Sequence, residues 1–509
     1  MKILALSPPI AAAAVLVGSA AWAGVLSAGT PVQVPDNPLA ATSATCANLV
    51  ASQTALGSKN FPGAEVEPMV ATDPSNPNHL VAAVQQDRWS DGGSNGLTLT
   101  VSNDGGKTWS LAAGQPKFSI CEGAVSGDPG YFNRATDPWV SFSKDGSTVY
   151  TISDSFNANG PGFGGASSIL LSKSTDGGNH WDTPVSAQKD TSYTVLNDKE
   201  TVTADPTSNS RAYAVWDRLV SPATNANPSA FLHSIAYRGP AMFSSTADGG
   251  QTWSAGRVIF DPGSKDQTIG NEIVVEPDGT LIDGFNLILT GGGKSGNASQ
   301  TFSVALIRST DHGATWSTPT VVAPIVDAPV TIAGHGVRTG DIIPQFTVDP
   351  TSGNLYAAWQ DGSFTGTAKV AFSQSTDGGA TWSTPIRIDQ SPGNVPAFTP
   401  AINVSSDGTV GVSYYDFENA TTASPGLTDT LLVHCHAACT NAANWASGGQ
   451  TRLSTTGSFD MTTAPNAGGF FTGDYEGLSS SGTTFNAASV MAQPVATAGP
   501  TDLFSFTAK

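Results

Sequence analysis

Short runs of alternating apolar and polar residues, each ended by a tight turn, fill most of this chain. "LTLTVS" (97–102), "SSILLSKS" (167–174), "SVALIRS" (303–309) and "KVAFSQS" (369–375) have the two-residue period of half-buried strands. Each leads into a glycine-rich turn closed by tryptophan: "SNDGGKTW" (102–109), "STDGGNHW" (174–181), "STDHGATW" (309–316) and "STDGGATW" (375–382). A further copy, "TADGGQTW", lies at 246–253. Glycine takes the positive φ that such turns require, and the Asp carboxylate accepts backbone N–H bonds across them. Each copy therefore predicts a β-hairpin. Asp104, Asp176, Asp248, Asp311 and Asp377 fall 72, 72, 63 and 66 residues apart, and a degenerate sixth copy, "CTNAANW" (439–445), keeps the schedule. A period of that length marks an array of similar units.

A second hairpin precedes each copy, with turns such as "DPSNPN" at Asp73, "DPTSNS" at Asp205 and "DPTSGN" at Asp349. Seven such turns are present, and no stretch has helical periodicity. The predicted fold class is all-β: a β-propeller of four-stranded antiparallel blades, seven by this count, with six as the alternative. The last unit holds three strands of its own, so "PVQV" (31–34) is expected to supply the fourth. Residues 24–64 then read as an N-terminal arm closing the last blade, and residues 65–509 as a single propeller domain.

Composition narrows the compartment and the partners. Lys2, an apolar run and Ala21-Trp22-Ala23 read as a signal peptide over residues 1–23, giving a secreted or periplasmic product. No later run approaches the ~20 apolar residues that span a bilayer, so membrane insertion is not expected. Twenty-two basic against 41 acidic residues, a net charge of -19, argue against a nucleic-acid partner, which needs clustered Lys and Arg. A monomer is expected. Four cysteines in an exported chain predict two disulfides; of the three possible pairings, Cys46–Cys121 and Cys435–Cys439 is the expected one. "HCHAAC" (434–439) also offers two His and two Cys, but in a strand His434 and His436 point away from Cys435. No metal and no cofactor is expected.

Strand direction sorts the ionisable residues. The Asp-containing turns join the third and fourth strands of each unit, so they share one face of the ring with the first hairpin turns. Starts of first strands and ends of second strands share the opposite face. Those stations carry Glu65, Glu67, Asp87, Arg88, Arg134, Asp137, Asp154, Asp198, Lys199, Glu200, Asp217, Arg218, Glu272, Asp283, Arg338, Asp341, Asp361, Asp416, Asp474, Tyr475 and Glu476. Charged residues form only 12% of the chain, so this concentration predicts a binding face.

Ser/Thr-x-Asp-x-Gly-x-Thr-Trp on a hairpin resembles the Asp box, or BNR repeat, of the sialidase superfamily. The resemblance implies an exo-α-sialidase-like glycosidase acting on sialylated or related acidic glycans. In that family three arginines bind the substrate carboxylate, a Tyr assisted by a Glu is the nucleophile, and an Asp is the acid. Carried onto this chain, Arg88, Arg134, Arg218 and Arg338, with Asp341 nearby, become the substrate-binding candidates. Tyr475 becomes the nucleophile, Glu200 or Glu272 its base, and Asp137 or Asp87 the acid. The chain departs from the family pattern at "AEVEPMV" (64–70), where Glu67 stands at the station of an expected Arg, and in its blade count. The alternative is a non-catalytic Asp-box propeller that binds glycan or protein on the same face.

Overall fold

The computed structural model describes residues 25–40, 42–158, 163–222, 238–291, 300–494 and 499–509. The signal peptide expected at residues 1–23 lies outside them. The alternating runs form four-stranded antiparallel sheets that follow one another along the chain. The first unit comprises Glu65–Asp73, Asn76–Arg88, Ser94–Ser102 and Ser110–Leu111. The second comprises Arg134–Phe142, Val149–Phe156, Ser167–Ser174 and Val185–Asp190. The third runs through Val195–Ala204, Ala212–Val220, Ala241–Thr246 and Arg257–Phe260, and the fourth through Gln267–Val275, Leu281–Thr290, Gln300–Ser309 and Thr320–Ile325. The fifth holds Gln345–Val348, Leu355–Asp361, Lys369–Ser375 and Ile386–Arg387, and the sixth Ala397–Val404, Val410–Asp416, Leu427–Cys435 and Gln450–Arg452.

The last unit draws a fourth strand from the N-terminal arm. Gly477–Ser481, Thr484–Ala492 and Thr501–Ala508 are joined by Val32–Gln33, with Val32 opposite Ser505 and Gln33 opposite Phe504. Each first strand packs on the first strand of the next unit, and Gly477–Ser481 packs back on Glu65–Asp73. The sheets are thus set radially, as in a β-propeller, and the core lies between neighbours. Tyr150, Ile152 and Leu171 of the second unit pack with Val202, Ala214 and Trp216 of the third. Ile282 and Leu306 of the fourth meet Phe346, Ala357 and Trp359 of the fifth.

The Asp boxes are built for turning the chain. Asp377 accepts from the Thr381 N–H at 2.8 Å and from its hydroxyl at 2.6 Å. Ser375 Oγ accepts from the Gly379 N–H at 2.9 Å, and Trp382 donates to the Gly379 carbonyl at 3.3 Å. Gly378 and Gly379 have φ of 66° and 80°. Bonds from the Thr381 side chain and backbone hold the Asp377 carboxyl down to about 2.

Two helices depart from the all-strand expectation. The degenerate sixth copy forms α2, Ala442–Gly448, because Asn441 caps the Ala443 N–H instead of building an Asp-box turn. Trp445 keeps its role, donating from a buried position to the Cys439 carbonyl at 2.8 Å. Within the arm, Ala44–Ala55 forms α1, capped by the Ser43 side chain at the Cys46 N–H. Its weak apolar stripe leaves little periodicity to detect. It is fastened by the Cys46–Cys121 disulfide, and Cys435–Cys439 forms the second.

Candidate functional site

The inner strands share a kink that the alternation pattern hides. The register with the second strand slips between Val66 and Met69, Thr136 and Trp139, Asp198 and Thr201, Ile269 and Glu272, and Phe398 and Ala401. Within these bulges Glu67, Asp137, Lys199, Gly270 and Thr399 adopt φ of 55°, 50°, 50°, 70° and 51°. A left-handed non-glycine residue costs about 1–3 kcal/mol and persists only where its surroundings hold it. Such a bulge re-aims a side chain out of the pleat. Here it turns Glu67, Asp137 and Lys199, from three successive units, toward one point.

That point is the Lys199 ammonium. Its Nζ donates to Glu67 Oε1 at 2.8 Å, Asp137 Oδ1 at 2.9 Å and Asp474 Oδ2 at 2.9 Å. Arg338 grips Asp474 with both Nε, at 2.9 Å, and Nη2. Arg88 donates to Gln85 at 2.7 Å and lies 3.8 Å from Glu67, while Gln85 donates to Glu67 and, at 2.8 Å, to Thr136. Three carboxylates cannot all be neutralised by one ammonium. Burial, reinforced by Asp137, pushes Glu67 up to about 7 even though Lys199 opposes it. Burial also works against charge on Asp474, but Arg338 and Lys199 override it and hold that carboxyl far below its ordinary value.

Above this floor opens a cavity of about 330 Å³ on the face opposite the Asp boxes. Glu67, Asp91, Asp137, Asp154, Asp198 and Asp341 line it, against the cations Arg88, Lys199 and Arg338. Phe156, Leu196 and Val337 supply apolar wall. Burial and the adjacent Asp327 push Asp341 up to about 7. A hairpin inserted between the fourth and fifth units, Val330–Ile332 and His335–Arg338, brings Arg338 and Asp341 to the rim by pairing in parallel with Phe470–Phe471. Arg88 and Arg338 both stack on Phe471, at 4.8 and 4.5 Å.

Four of the sequence candidates, Asp137, Arg88, Arg338 and Asp341, therefore meet in the cavity. Three others lie beneath its floor: Tyr475, Glu200 and Glu272 line a narrow gap of about 20 Å³ between the inner strands, which shares Lys199 with the cavity. The Tyr475 hydroxyl donates to the Pro138 carbonyl at 3.4 Å, its ring packs on Trp139, and burial pushes the phenol well up. Glu200 accepts from the Asp154 N–H, and Glu272 from the Phe346 N–H at 2.9 Å.

The remaining three are occupied elsewhere, which corrects their expected roles. Asp87 lies away from the cavity: it accepts from the N–H groups of Leu39, Ala40 and Gly63, each at 2.7 Å, and so anchors the N-terminal arm. Arg134 does not reach a substrate carboxylate, because it binds Asp91 at 2.8 Å and Gln53 of α1 at 2.9 Å while stacking on Trp89. Arg218 is held by Asp190, at 3.0 Å through Nε. Asp91 and Asp327 have no periodic signal and were not singled out from sequence. Glu67-Pro68, Asp137-Pro138 and Thr399-Pro400 do recur at three of the five bulges, a signal that marks them.

The BNR/Asp-box repeat profile matches residues 100–111. Among curated proteins, a sialidase of Micromonospora viridifaciens is 26% identical over 347 residues, covering 63% of this chain and 47% of that protein. A xyloglucanase of Paenibacillus sp is 31% identical over 177 residues, covering 33% of this chain and 15% of that protein. The chain spans less than half the length of these relatives. Among solved structures, a protein of unknown function from Dyadobacter fermentans aligns with a TM-score of 0.46 and 14% identity, over 95% of this chain and 99% of that one.

Proposed function

For a chain built on the Asp-box repeat of the sialidase-like superfamily, we propose a glycoside hydrolase that takes an uncharged sugar into the Lys199 cavity. The observation that carries this reading is the meeting of Glu67, Asp137 and Asp341 around one open cavity with Lys199 at its floor. A glycosidase needs one carboxyl that holds a proton near neutral pH and one that is ionised. Asp341, raised to about 7 by burial and Asp327, suits the proton donor. Asp137, ion-paired to Lys199, suits the nucleophile or the base that activates water. The cavity volume fits a sugar ring, and Phe156 offers an apolar surface for it.

An uncharged sugar is favoured over sialic acid because six carboxyls face three cations, and two of those cations are already engaged by Asp474. A second reading, cleavage of an acidic sugar, draws on Arg88 and Arg338 flanking Phe471, where a substrate carboxylate would share Arg338 with Asp474. The same reading takes the ring of sheets as a closed seven-bladed propeller, supported by the pairing of Val32–Gln33 with the last unit. Two disulfides suit an exported protein.

Release of 4-nitrophenol from neutral glycosides, beside a matched sialoside, tests the proposal. Neutral-glycoside cleavage lost at least about 100-fold in Asp341→Asn and in Asp137→Asn, but retained in Tyr475→Phe, is expected. Cleavage of the sialoside alone, abolished in Tyr475→Phe, establishes the acidic-sugar reading instead. Binding of glycan without cleavage leaves a lectin-like propeller.

A further inference from the structure

Asp154 lacks the bonds to the next unit that three of its counterparts make. It lies near the end of the second strand of the second unit, opposite Thr136 and beside the bulge. The same station carries Asn286 in the fourth unit, which accepts from the Ser303 N–H of its own unit at 3.0 Å, and Gln85 in the first, Asp217 in the third and Tyr415 in the sixth. Gln85, Asp217 and Tyr415 each tie their unit to the next one. Gln85 donates to Thr136 at 2.8 Å. Asp217 accepts from the Gly270 N–H at 2.8 Å and from Thr268 at 3.0 Å. Tyr415 donates to Glu476 at 2.6 Å and to the Val490 carbonyl at 2.7 Å. Asp154 is only 1% exposed, yet both its carboxylate oxygens lack a hydrogen-bond partner among the described residues. Its side chain lines the cavity beside Phe156, Asp137 and Asp198.

A buried polar group without a partner is rare in a folded protein and marks either strain or a missing ligand. Among the described residues no ion pair compensates Asp154, and Asp198 and Asp137 add repulsion to the burial that raises its proton affinity. A carboxyl in that state both donates and accepts. Adjacent hydroxyls on a sugar ring present the matching pair of groups.

We propose that Asp154 is a specificity-determining residue that binds two neighbouring hydroxyls of the sugar ring in the Lys199 cavity. This rests on the glycan reading of the site, but not on the assignment of Asp341 and Asp137 to catalysis. Asp154→Asn and Asp154→Ala are compared with the unaltered protein in two assays. One measures KM and kcat on the neutral 4-nitrophenyl glycosides. The other measures binding of methyl glycosides and their monodeoxy counterparts by saturation-transfer NMR.

The expected result is a rise in KM of at least about tenfold, larger than the fall in kcat, with the thermal midpoint unchanged or raised. The unaltered protein should distinguish a methyl glycoside from its deoxy counterpart, and Asp154→Ala should not. Unchanged KM and unchanged discrimination in both variants overturn the proposal while leaving hydrolysis standing. Asp154-dependent binding without any turnover supports the proposal and defeats hydrolysis. A protein that neither binds nor cleaves any of these glycosides overturns both.

Discussion

Lys199 Nζ lies 2.9 Å from Asp474 Oδ2, although 275 positions separate the two residues in the chain. The bond ties the third unit to the start of the last. It passes over the axis, beside the ion pairs to Glu67 and Asp137 from the first and second units. Lys199 is therefore both the floor of the cavity and a clasp of the ring. Replacing it with Met leaves Asp137 without its cation and removes one of the two that face Glu67 and Asp474. Loss of one partner from such a cluster costs about 3–5 kcal/mol. Urea unfolding of Lys199→Met should show that loss, and a change below about 1 kcal/mol would remove the clasp role.

The Asp boxes should behave in the opposite way. Asp377 is exposed, and its hydrogen bonds lie within its own turn. Asp377→Ala should lower the thermal midpoint modestly and leave KM and kcat on glycosides unchanged. A selective loss of turnover without a change in midpoint would place that face in the chemistry.

Stability should decline from acid toward neutral pH. Glu67 and Asp341 hold folded-state values of about 7, above those of unfolded Glu and Asp. A raised carboxyl contributes stability that is fully present below the unfolded value and is lost as pH rises through the folded one. The window therefore runs from about 4 to about 7. Asp474 acts in the opposite sense, but its depressed value places that loss at strongly acid pH. Urea midpoints should be higher at pH 5 than at pH 8, and Asp341→Asn should flatten the difference. Turnover that depends on a protonated Asp341 should fall over the same rise.

The two disulfides should differ in weight. Cys46–Cys121 closes 75 residues and holds α1 against the body, whereas Cys435–Cys439 closes four. Chain-entropy arguments assign the longer loop about 4 kcal/mol and the shorter one less. Cys46→Ser with Cys121→Ser should destabilise more than Cys435→Ser with Cys439→Ser. The first pair should also loosen the Gln53–Arg134–Asp91 chain at the cavity rim, which hydrogen exchange at Ser90–Gly93 would report.

Much of this protein is written locally. Period-two alternation and Asp-Gly turns determined the strands, their antiparallel order, the fourth strand lent by Val32–Gln33 and the face on which ionisable residues gather. Both disulfide partners were readable as well. Each of these depends on residues close in sequence or on one repeated pattern, which is why "STDGGATW" could be assigned to turning the chain and not to chemistry.

Only the tertiary structure decided which of the gathered residues share a space. Arg88, Arg134 and Arg218 look alike along the chain. Yet Arg134 is captured by α1 and Asp91 and Arg218 by Asp190, while Arg88 faces the cavity. Arg338 reaches the cavity through the parallel pairing of Val337 with Phe470. The bulges at Glu67, Asp137 and Lys199 reverse the facing that strict alternation assigns, so three units converge on one ammonium. A bulge adds a single residue to a strand, and ion pairs act through space irrespective of sequence distance. Neither leaves a periodic trace, so the scaffold was legible and the constellation within it was not.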